Sequence, residues 1–305
     1  MRDADRMRVK ERGATLSIPV NQTPGLYHLR LGDFVVTAVN DGIYQADFDV
    51  IAGLDHRECE RIERAAFRVV PPRMTMNAFL LQLDGRLALI DTGCGGTMGP
   101  TLGKVVGNLA AMGVAPPDID AVLITHLHPD HMNGLTDAEG KAVFPRAELV
   151  INEAELNFFD DEDSCSRTPE PAQAFFAEAR TTIAPYRERI RTVRDGAALA
   201  GVTAMTLPGH TPGHTAWLIE SSGDAVLIWG DIVHMPALQL AAPQAGTVVD
   251  IDLDLGVRSR RRALDLAATD RLRVAGVHMD FPAFGHITRS GTGYAFVPEV
   301  WKAMV

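Results

Sequence analysis

The chain has 305 residues, of which 46% are hydrophobic and 22% are charged, and its formal net charge is −10. This composition is typical of a globular protein with a sizeable core, and the acidic balance argues against nucleic acid as the main partner, because phosphate binding needs clustered Lys and Arg. No run approaches the ~18 consecutive apolar residues of a membrane-spanning helix, and the three cysteines are too few and too far apart for a disulfide framework.

The N-terminal segment is charged where a signal peptide would need an apolar core, which predicts a cytoplasmic protein. Residues 1–25 are expected to form an arm or extension that ends at the turn signal Thr23-Pro24-Gly25, and residues 26–305 are expected to form one domain. An arm of this kind could wrap a second copy of the chain, so the sequence is compatible with a homodimer.

Two hairpins and two helices are predicted in the first third of the chain. The β-like runs 27–31 and 34–40 flank Gly32-Asp33, and the runs 77–83 and 87–91 flank Asp84-Gly85. Charged and apolar residues at helical spacing predict helices over 51–68 and 101–112, the second ending near Gly113.

Strands and helices alternate again through the rest of the chain. Strands are predicted over 121–125, 147–152, 202–207, 215–220, 225–229 and 273–277. Helices are predicted over 153–190, with an interruption around 160–171, and over 263–270. The basic cluster Arg258–Arg262 is interpreted as a solvated helix start. This alternation in two blocks predicts an α/β protein with layered sheets inside.

The stretch Thr125–His131, THLHPDH, carries three of the ten histidines and follows a predicted buried strand. In extended chain His126 and His128 would point to the same side, and Pro129 would then turn the chain so that Asp130 and His131 return to the same point. Imidazole and carboxylate groups suit Zn, Fe, Mn or Co. Four ligands in one loop are too few to close two metal sites, so further ligands are expected from elsewhere.

Three later segments place metal-binding residue types after predicted strands. His210 lies in the turn-rich segment GHTPGH, Asp231 follows the strand that ends at Trp229, and His278 follows the strand that ends at Val277. Core packing does not produce such a pattern at several strand ends. The sequence therefore predicts a metal centre at one edge of the sheets.

These elements resemble the signature of the metallo-β-lactamase superfamily. THLHPDH is similar to the family's HxHxDH motif, and GHTPGH, Gly230-Asp231 and His278 follow in the family's order. The stretch Asp91–Gly95, DTGCG, resembles the family's upstream loop that contains an aspartate. The resemblance runs from about residue 30 to the C-terminus and implies a four-layer αββα sandwich. The stretches LGDFVVTAVNDG and MNAFLLQLDGRLALIDTG further resemble the branch that contains methyl parathion hydrolase and related lactonases.

The resemblance implies two divalent metal ions, for which Zn is favoured while Fe, Mn and Co stay open. The expected ligands are His126, His128 and His210 for the first ion, Asp130, His131 and His278 for the second, and Asp231 as a bridge. His286 is the alternative to His278. A hydroxide between the ions would be the nucleophile, because a metal lowers the pKa of bound water from ~16 toward ~7. Asp130 could in addition relay a proton to the leaving group.

Five further residues have expected roles. Asp91 and His214 are expected to support the ligands from behind. His234 stands near the position where related lactonases have a tyrosine, and a catalytic role toward the developing oxyanion and a packing role are both open. Among the four phenylalanines of the helical insertion, Phe159 and Phe176 are expected to line the substrate pocket.

The resulting functional hypothesis is a dinuclear metal-dependent hydrolase that opens a lactone or cleaves an aryl or alkyl ester. An N-acyl homoserine lactonase with promiscuous phosphotriesterase activity would fit, with quorum quenching as its role. The first alternative is an organophosphate hydrolase of the methyl parathion type. The second, from another class, is a non-catalytic metal- or signal-binding module.

Overall fold

Two seven-stranded β-sheets form the centre of the structure, a computed structural model that describes residues 22–168 and 170–305. The strands of the first sheet, in spatial order, are β1 (Leu26–Leu31), β2 (Phe34–Gln45), β4 (Arg73–Leu83), β5 (Arg86–Ile90), β6 (Ala121–Leu123), β7 (Glu148–Asn152) and β8 (Ile190–Val193). Those of the second are β9 (Gly196–Leu199), β10 (Val202–Thr206), β11 (Thr215–Ser221), β12 (Asp224–Ile228), β14 (Arg273–Ala275), β15 (Gly285–Ser290) and β16 (Gly293–Pro298). A small ladder joins β3 (Ile51–Ala52) to β13 (Gly246–Thr247).

The pairing of the strands decides where their ends meet. In the first sheet, β5, β6, β7 and β8 run parallel to one another, whereas β1, β2, β4 and β5 pair antiparallel. In the second sheet the only parallel pair within the described residues is β12 with β14. Because the carboxyl ends of parallel strands meet at one edge, the loops after β5, β6, β12 and β14 can approach one another there.

Helices cover the sheets. They are α1 (His56–Ala65), α2 (Val105–Ala111), α3 (Pro129–Met132), α4 (Glu153–Asp160), α5 (Glu162–Arg167), α6 (Glu170–Ile183), α7 (Pro236–Ala241) and α8 (Leu253–Thr269). Strand β4 is buried on both faces, as its alternation shows: Phe79 and Leu81 pack in the core shared with the second sheet, whereas Ala78 and Leu80 pack in the cluster formed with α2, α4 and α6. Helix α8 packs on the second sheet through Ala263 and Leu264. The predicted αββα layering is confirmed.

Both predicted hairpins are confirmed as the pairs β1–β2 and β4–β5. The predicted interruption of the helical insertion is also present, because α4 ends at Asp160 and α6 begins at Glu170. The C-terminal hairpin β15–β16 was not predicted from the sequence.

One prediction about the basic cluster is wrong. Helix α8 begins at Leu253, ten residues before the predicted start, because the side chain of Asp252 caps it by accepting a hydrogen bond from the Leu255 amide. The cluster therefore lies inside the helix rather than at its start. Arg260 is 2% exposed and donates to the carbonyl oxygens of Ile232 and Ala245, so this arginine is a buried structural residue.

Most of the predicted N-terminal arm falls on residues 1–21, outside the described residues. The homodimer that the arm suggested stays a prediction. In the part of the chain that the structure covers, no helix combines the length and apolar character needed to cross a membrane.

Candidate metal centre

The loop after β6 delivers the motif to the sheet edge as the sequence predicted. The backbone bends at Thr125, is extended at His128 and then enters the short helix α3, with Pro129 at its first position. His126 and His131 are fully buried, and His128 is 5% exposed. The backbone amide of Thr215, in the second sheet, donates to the carbonyl oxygen of Thr125, so the two sheets are joined next to the motif.

Three histidines form the first group of side chains. His126, His128 and His210 offer ring nitrogens that lie within 4.8 Å of one another. The Nε2 atoms of His126 and His210 are 3.2 Å apart. Asp231 faces this group with Oδ2, which lies 3.3 Å from Nε2 of His210 and 3.6 Å from Nε2 of His126.

A carboxylate and two histidines form the second group. Nε2 of His131 and Nε2 of His278 each lie 3.4 Å from Oδ2 of Asp130. The same two nitrogens lie 3.1 Å from Oδ1 of Asp231. Asp231 therefore stands between the two groups, with one oxygen toward each. His286, the alternative to His278, lies on β15 with its Nδ1 3.2 Å from the Arg271 carbonyl oxygen and takes no part in either group.

Several atoms that face the space between these side chains are buried and have no hydrogen-bond partner. They are Nε2 of His131, Nε2 of His278 and Oδ1 of Asp231, together with both ring nitrogens of His234. Orphaned buried nitrogen and oxygen atoms are rare and costly, because each has lost its hydrogen bonds to water. Atoms of these types that converge on one point are the donors that a divalent cation requires, so the residues present fit a metal centre.

The two groups differ in their electrostatics. Burial holds the pKa of His126 and of His128 well below the usual value, which favours the neutral imidazole that binds metal. Burial also lowers the pKa of His131, but the carboxylates of Asp231, Asp130 and Asp91 outweigh it and hold that pKa well above its usual value. The pKa of Asp231 is held low despite burial, by His131 and His278 first. Carboxylates that are buried this close together repel one another, and a cation placed between them would stabilise their charges.

Side chains and carbonyl oxygens behind the ligands fix the rings. Oδ2 of Asp91 lies 2.8 Å from Nδ1 of His131 and accepts from the Thr125 hydroxyl, as expected for a supporting residue. Nδ1 of His278 lies 3.1 Å from the Thr75 carbonyl oxygen. Such contacts set the orientation of an imidazole ring and the nitrogen it offers to a metal.

His214 lies behind Asp231, where the sequence placed a supporting residue. Its Nδ1 is 3.1 Å from the carbonyl oxygen of Leu207, and its Nε2 accepts a hydrogen bond from the backbone amide of Asp231. His214 therefore holds the backbone that carries Asp231. It belongs to neither of the two ligand groups.

His234 lies inside the centre. Its Nε2 is 2.9 Å from Oδ2 of Asp231, without the alignment of a hydrogen bond, and its ring stacks on that of His278 at 5.2 Å between centroids. His210, Asp231 and His234 form a further set of three potential metal-binding atoms within 4.8 Å. Burial lowers the pKa of His234, which favours its neutral form.

A cavity of about 600 Å³ adjoins the first group. Its lining includes Phe158 and Phe175, the aliphatic side chains of Val248 and Ile251, and Asp250. The ring of Phe175 lies 5.2 Å from that of His128, and Asp250 contacts His210, so two residues of the cavity wall also touch the first group.

Phe159 and Phe176, predicted to line the pocket, lie in the core instead. Each is 1% exposed, and their rings pack against each other at 5.0 Å. The sequence neighbours Phe158 and Phe175 line the cavity in their place. Consecutive residues of a helix point about 100° apart, so one member of each pair faces the core and the other faces the cavity.

Two residues that support the first group were not predicted from the sequence. Oδ1 of Asp250 lies 2.7 Å from Nδ1 of His210, and Glu155 is buried against the loops that carry the first group. Asp250 stands 40 residues from His210, and Glu155 lies within a predicted helix. No motif or spacing marks either of them.

Comparison with known proteins places these features in context. Residues 73–278 match the metallo-β-lactamase superfamily. A crystal structure of the hydrolase AbOPH, described as a member of the beta lactamase superfamily, is 30% identical, with a TM-score of 0.88 over 92% of this chain and 100% of that chain. AidC, described as a dizinc quorum-quenching lactonase in complex with a product, shares the fold, with a TM-score of 0.86, 23% identity, and 92% and 99% of the two chains covered.

An N-acyl homoserine lactonase from Bacillus sp is 25% identical over 198 residues, which are 64% of this chain and 67% of that protein. The matched region covers 65% of the length of one curated relative and 67% of the length of this lactonase.

Proposed function

We propose that this chain, which belongs to the metallo-β-lactamase superfamily, is a dinuclear metal-dependent hydrolase that opens lactones, or cleaves esters, with an apolar tail. The observation that carries the proposal is the convergence of two groups of potential ligand atoms on Asp231, beside a largely apolar cavity. Similarity to two proteins named as N-acyl homoserine lactonases, at 25% and 26% identity, supports the substrate class.

The two groups divide the ligands between two cations. His126, His128 and His210 would hold one ion, and Asp130, His131 and His278 the other, with Asp231 contributing one oxygen to each. Two bound divalent cations, Zn²⁺ in the first place, would supply hydroxide at neutral pH and would polarise a carbonyl group. Burial favours the neutral forms of His126 and His128, which can bind a cation without losing a proton. Despite burial, Asp231 and Asp250 raise the pKa of His210 to about 9, so this third histidine gives up a proton when it binds.

Asp130 is the residue best placed to move a proton. Its side chain is 14% exposed, whereas that of Asp231 is 3% exposed, so Asp130 is the more accessible of the two carboxylates. Despite burial, His131 and His278 hold the pKa of Asp130 low, so its carboxylate has no proton of its own. We therefore assign to Oδ2 a relay: it accepts the proton that the attacking water loses and passes it to the oxygen that leaves when the ester bond breaks. Asp231, whose oxygens lie within 3.6 Å of a ring nitrogen of each of five histidines, keeps its negative charge throughout.

His234 is assigned the stabilisation of the carbonyl oxygen. The Gln239 side chain accepts from the His234 backbone amide at 2.6 Å, and stacking on His278 orients the ring. Its ring nitrogens are unpaired, so a neutral His234 can donate an N–H to an oxygen that gains charge during the reaction.

The cavity favours substrates with an apolar tail. Aromatic and aliphatic side chains dominate its lining, and it opens beside His128 and His210. An acyl chain placed there would leave its carbonyl group over the two ligand groups. Burial of apolar surface stabilises such a complex by about 25 cal/mol per Å².

The test is hydrolysis of two substrates by the Zn²⁺-loaded protein, N-hexanoyl homoserine lactone and methyl paraoxon, with chelator-treated protein as the control. We expect a kcat/KM of ~10⁴ M⁻¹s⁻¹ or more for the lactone, a much lower value for the triester, and loss of both on chelation. The reverse order of the two substrates would make organophosphate hydrolysis the main activity. Metal binding without turnover of either substrate, or of simple aryl esters, would favour a non-catalytic module.

A further inference from the structure

One buried carboxylate joins the two loops that carry the first group. Glu155, on the first turns of α4, is 1% exposed. Its Oε1 accepts a hydrogen bond from the Leu127 amide at 2.8 Å. Its Oε2 accepts from the Thr211 hydroxyl at 2.6 Å and from the Gly213 amide at 3.0 Å.

The donors to Glu155 lie on two different loops. Leu127 lies between His126 and His128, whereas Thr211 and Gly213 follow His210, which is 84 residues away from His126 in the sequence. The carboxylate of Glu155 therefore spans the two segments that must stay in register for the three histidines to face one point.

The approach of α4 to the second loop is too close for a side chain. A Cβ atom at position 213 would lie 2.2 Å from the backbone nitrogen of Glu155. Glycine at this position thus permits the contact. The second loop has further supports on the side away from Glu155. Asp250 contacts the His210 ring, and the Ile251 amide donates to the His210 carbonyl oxygen.

The chemistry of the contact requires a carboxylate. All three groups around Glu155 are donors, and both of its oxygens accept. A glutamine would place an NH₂ group against either the Leu127 amide or the pair from Thr211 and Gly213, and would leave buried donors facing each other. Unpaired buried donors are costly, so the loops would move apart.

We propose that Glu155 is the positioning residue for the ion of the first group, setting the distance between His126 and His128 on one loop and His210 on the other. The second group does not depend on it, because Asp91 and the Thr75 carbonyl oxygen hold His131 and His278. This inference rests on the proposed metal centre.

The test is a Zn²⁺ titration of metal-free protein against a chelating dye. We expect Glu155→Gln to lower the affinity for one of the two ions by about 10–100-fold, which is the usual effect of losing such a supporting contact. The affinity for the other ion should stay within about twofold of the wild-type value. Asp91→Asn should weaken the other ion, and the double variant should weaken both. Glu153→Gln is the matched control, because Glu153 lies on the same helix and pairs with Arg194 at the surface.

Thr211→Val provides a gentler variant if Glu155→Gln does not fold, because it removes one donor and keeps the shape of the side chain. It should weaken the same ion by a smaller factor. Melting of the metal-free variants separates stability from metal binding. A lower melting temperature with both affinities unchanged in Glu155→Gln and Thr211→Val would overturn the proposal.

A double variant of Glu155→Gln and Asp91→Asn that keeps one tight ion would also overturn it, because both residues would then act on the same site. Wild-type protein that binds fewer than two ions would instead overturn the proposed centre itself. Because the readout is metal affinity, the result does not depend on which ester or lactone the enzyme hydrolyses.

Discussion

The two ligand groups lie at one edge of the sheets, yet they differ in charge and surroundings. The first consists of histidines alone and lies beside the apolar cavity. Burial lowers the pKa of two of them, His126 and His128, whereas Asp231 and Asp250 raise the pKa of the third, His210, to about 9 despite burial. The second includes the carboxylate of Asp130, and its His131 is kept in a raised pKa range by neighbouring carboxylates. The difference suggests a division of roles, in which the first group faces the apolar part of a substrate and the second serves proton transfer.

Removing the Asp231 side chain should disrupt both groups, because its carboxylate directs one oxygen toward each of them. We expect Asp231→Ala to lose bound metal and to lower kcat/KM by roughly 10³-fold, because a cation at a developing charge contributes several kcal/mol. Metal content and lactone hydrolysis measure the two effects. Asp265→Ala, which removes an exposed carboxylate on α8, should change neither. Normal metal content and activity in Asp231→Ala would remove Asp231 from the site.

Phe159 tests whether the core behind the first group serves stability alone. Its ring lies 6.3 Å from that of His128 and is almost fully buried. We expect Phe159→Ala to lower the free energy of unfolding by about 3–5 kcal/mol, because it leaves a cavity in a packed core. Urea denaturation of the metal-free protein measures this change. A loss below about 1 kcal/mol would contradict the assignment of Phe159 to the core.

Asp250 tests the first group from the side opposite Glu155. Asp250→Asn replaces the carboxylate that contacts His210, and we expect it to weaken one ion by about 10–100-fold while the other is retained. Zn²⁺ competition with a chelator measures both affinities. Asp252→Asn is the control, because asparagine caps α8 as well as aspartate does. If Asp250→Asn lowered the affinity for both ions equally, the two groups would not act as separate binding sites.

Phe175 tests whether the cavity beside the first group binds the substrate tail. We expect Phe175→Ala to raise KM for a long-tailed lactone by about 10-fold with little change in kcat, because the ring would contribute equally to ground-state and transition-state binding. The effect should shrink for a short-tailed lactone. Steady-state kinetics with butanoyl and decanoyl homoserine lactones would reveal it, and unchanged KM for the long tail would exclude the cavity as the binding site of the tail.

The fold and the ligand groups could be predicted from the sequence because their signals are local. A run of apolar residues predicts strands such as β4, and the motif after β6 places four residues that can bind a metal within six positions. His278 was preferred over His286 because it directly follows a strand, and the structure places it in the second group.

Two of the errors, those about Arg260 and about the phenylalanine pairs, have a common cause in helix orientation. Arg260 lies in a charged run, which predicts exposure, yet the rotation of α8 turns this one arginine inward to two carbonyl oxygens. In the same way, sequence could not tell which phenylalanine of each adjacent pair faces the cavity. The neighbours of a helix decide its rotation, and those neighbours are distant in the chain.

By itself, the sequence determined the layered α/β fold and the residues that gather at the sheet edge, because hydrophobic periodicity and strand-end positions are written in consecutive residues. Only the tertiary structure decided that Glu155 joins two loops, that Asp250 holds His210, and that Phe158 and Phe175 line the cavity. The physical reason is that these contacts depend on the distance and rotation between elements that are far apart in sequence, which no local pattern records.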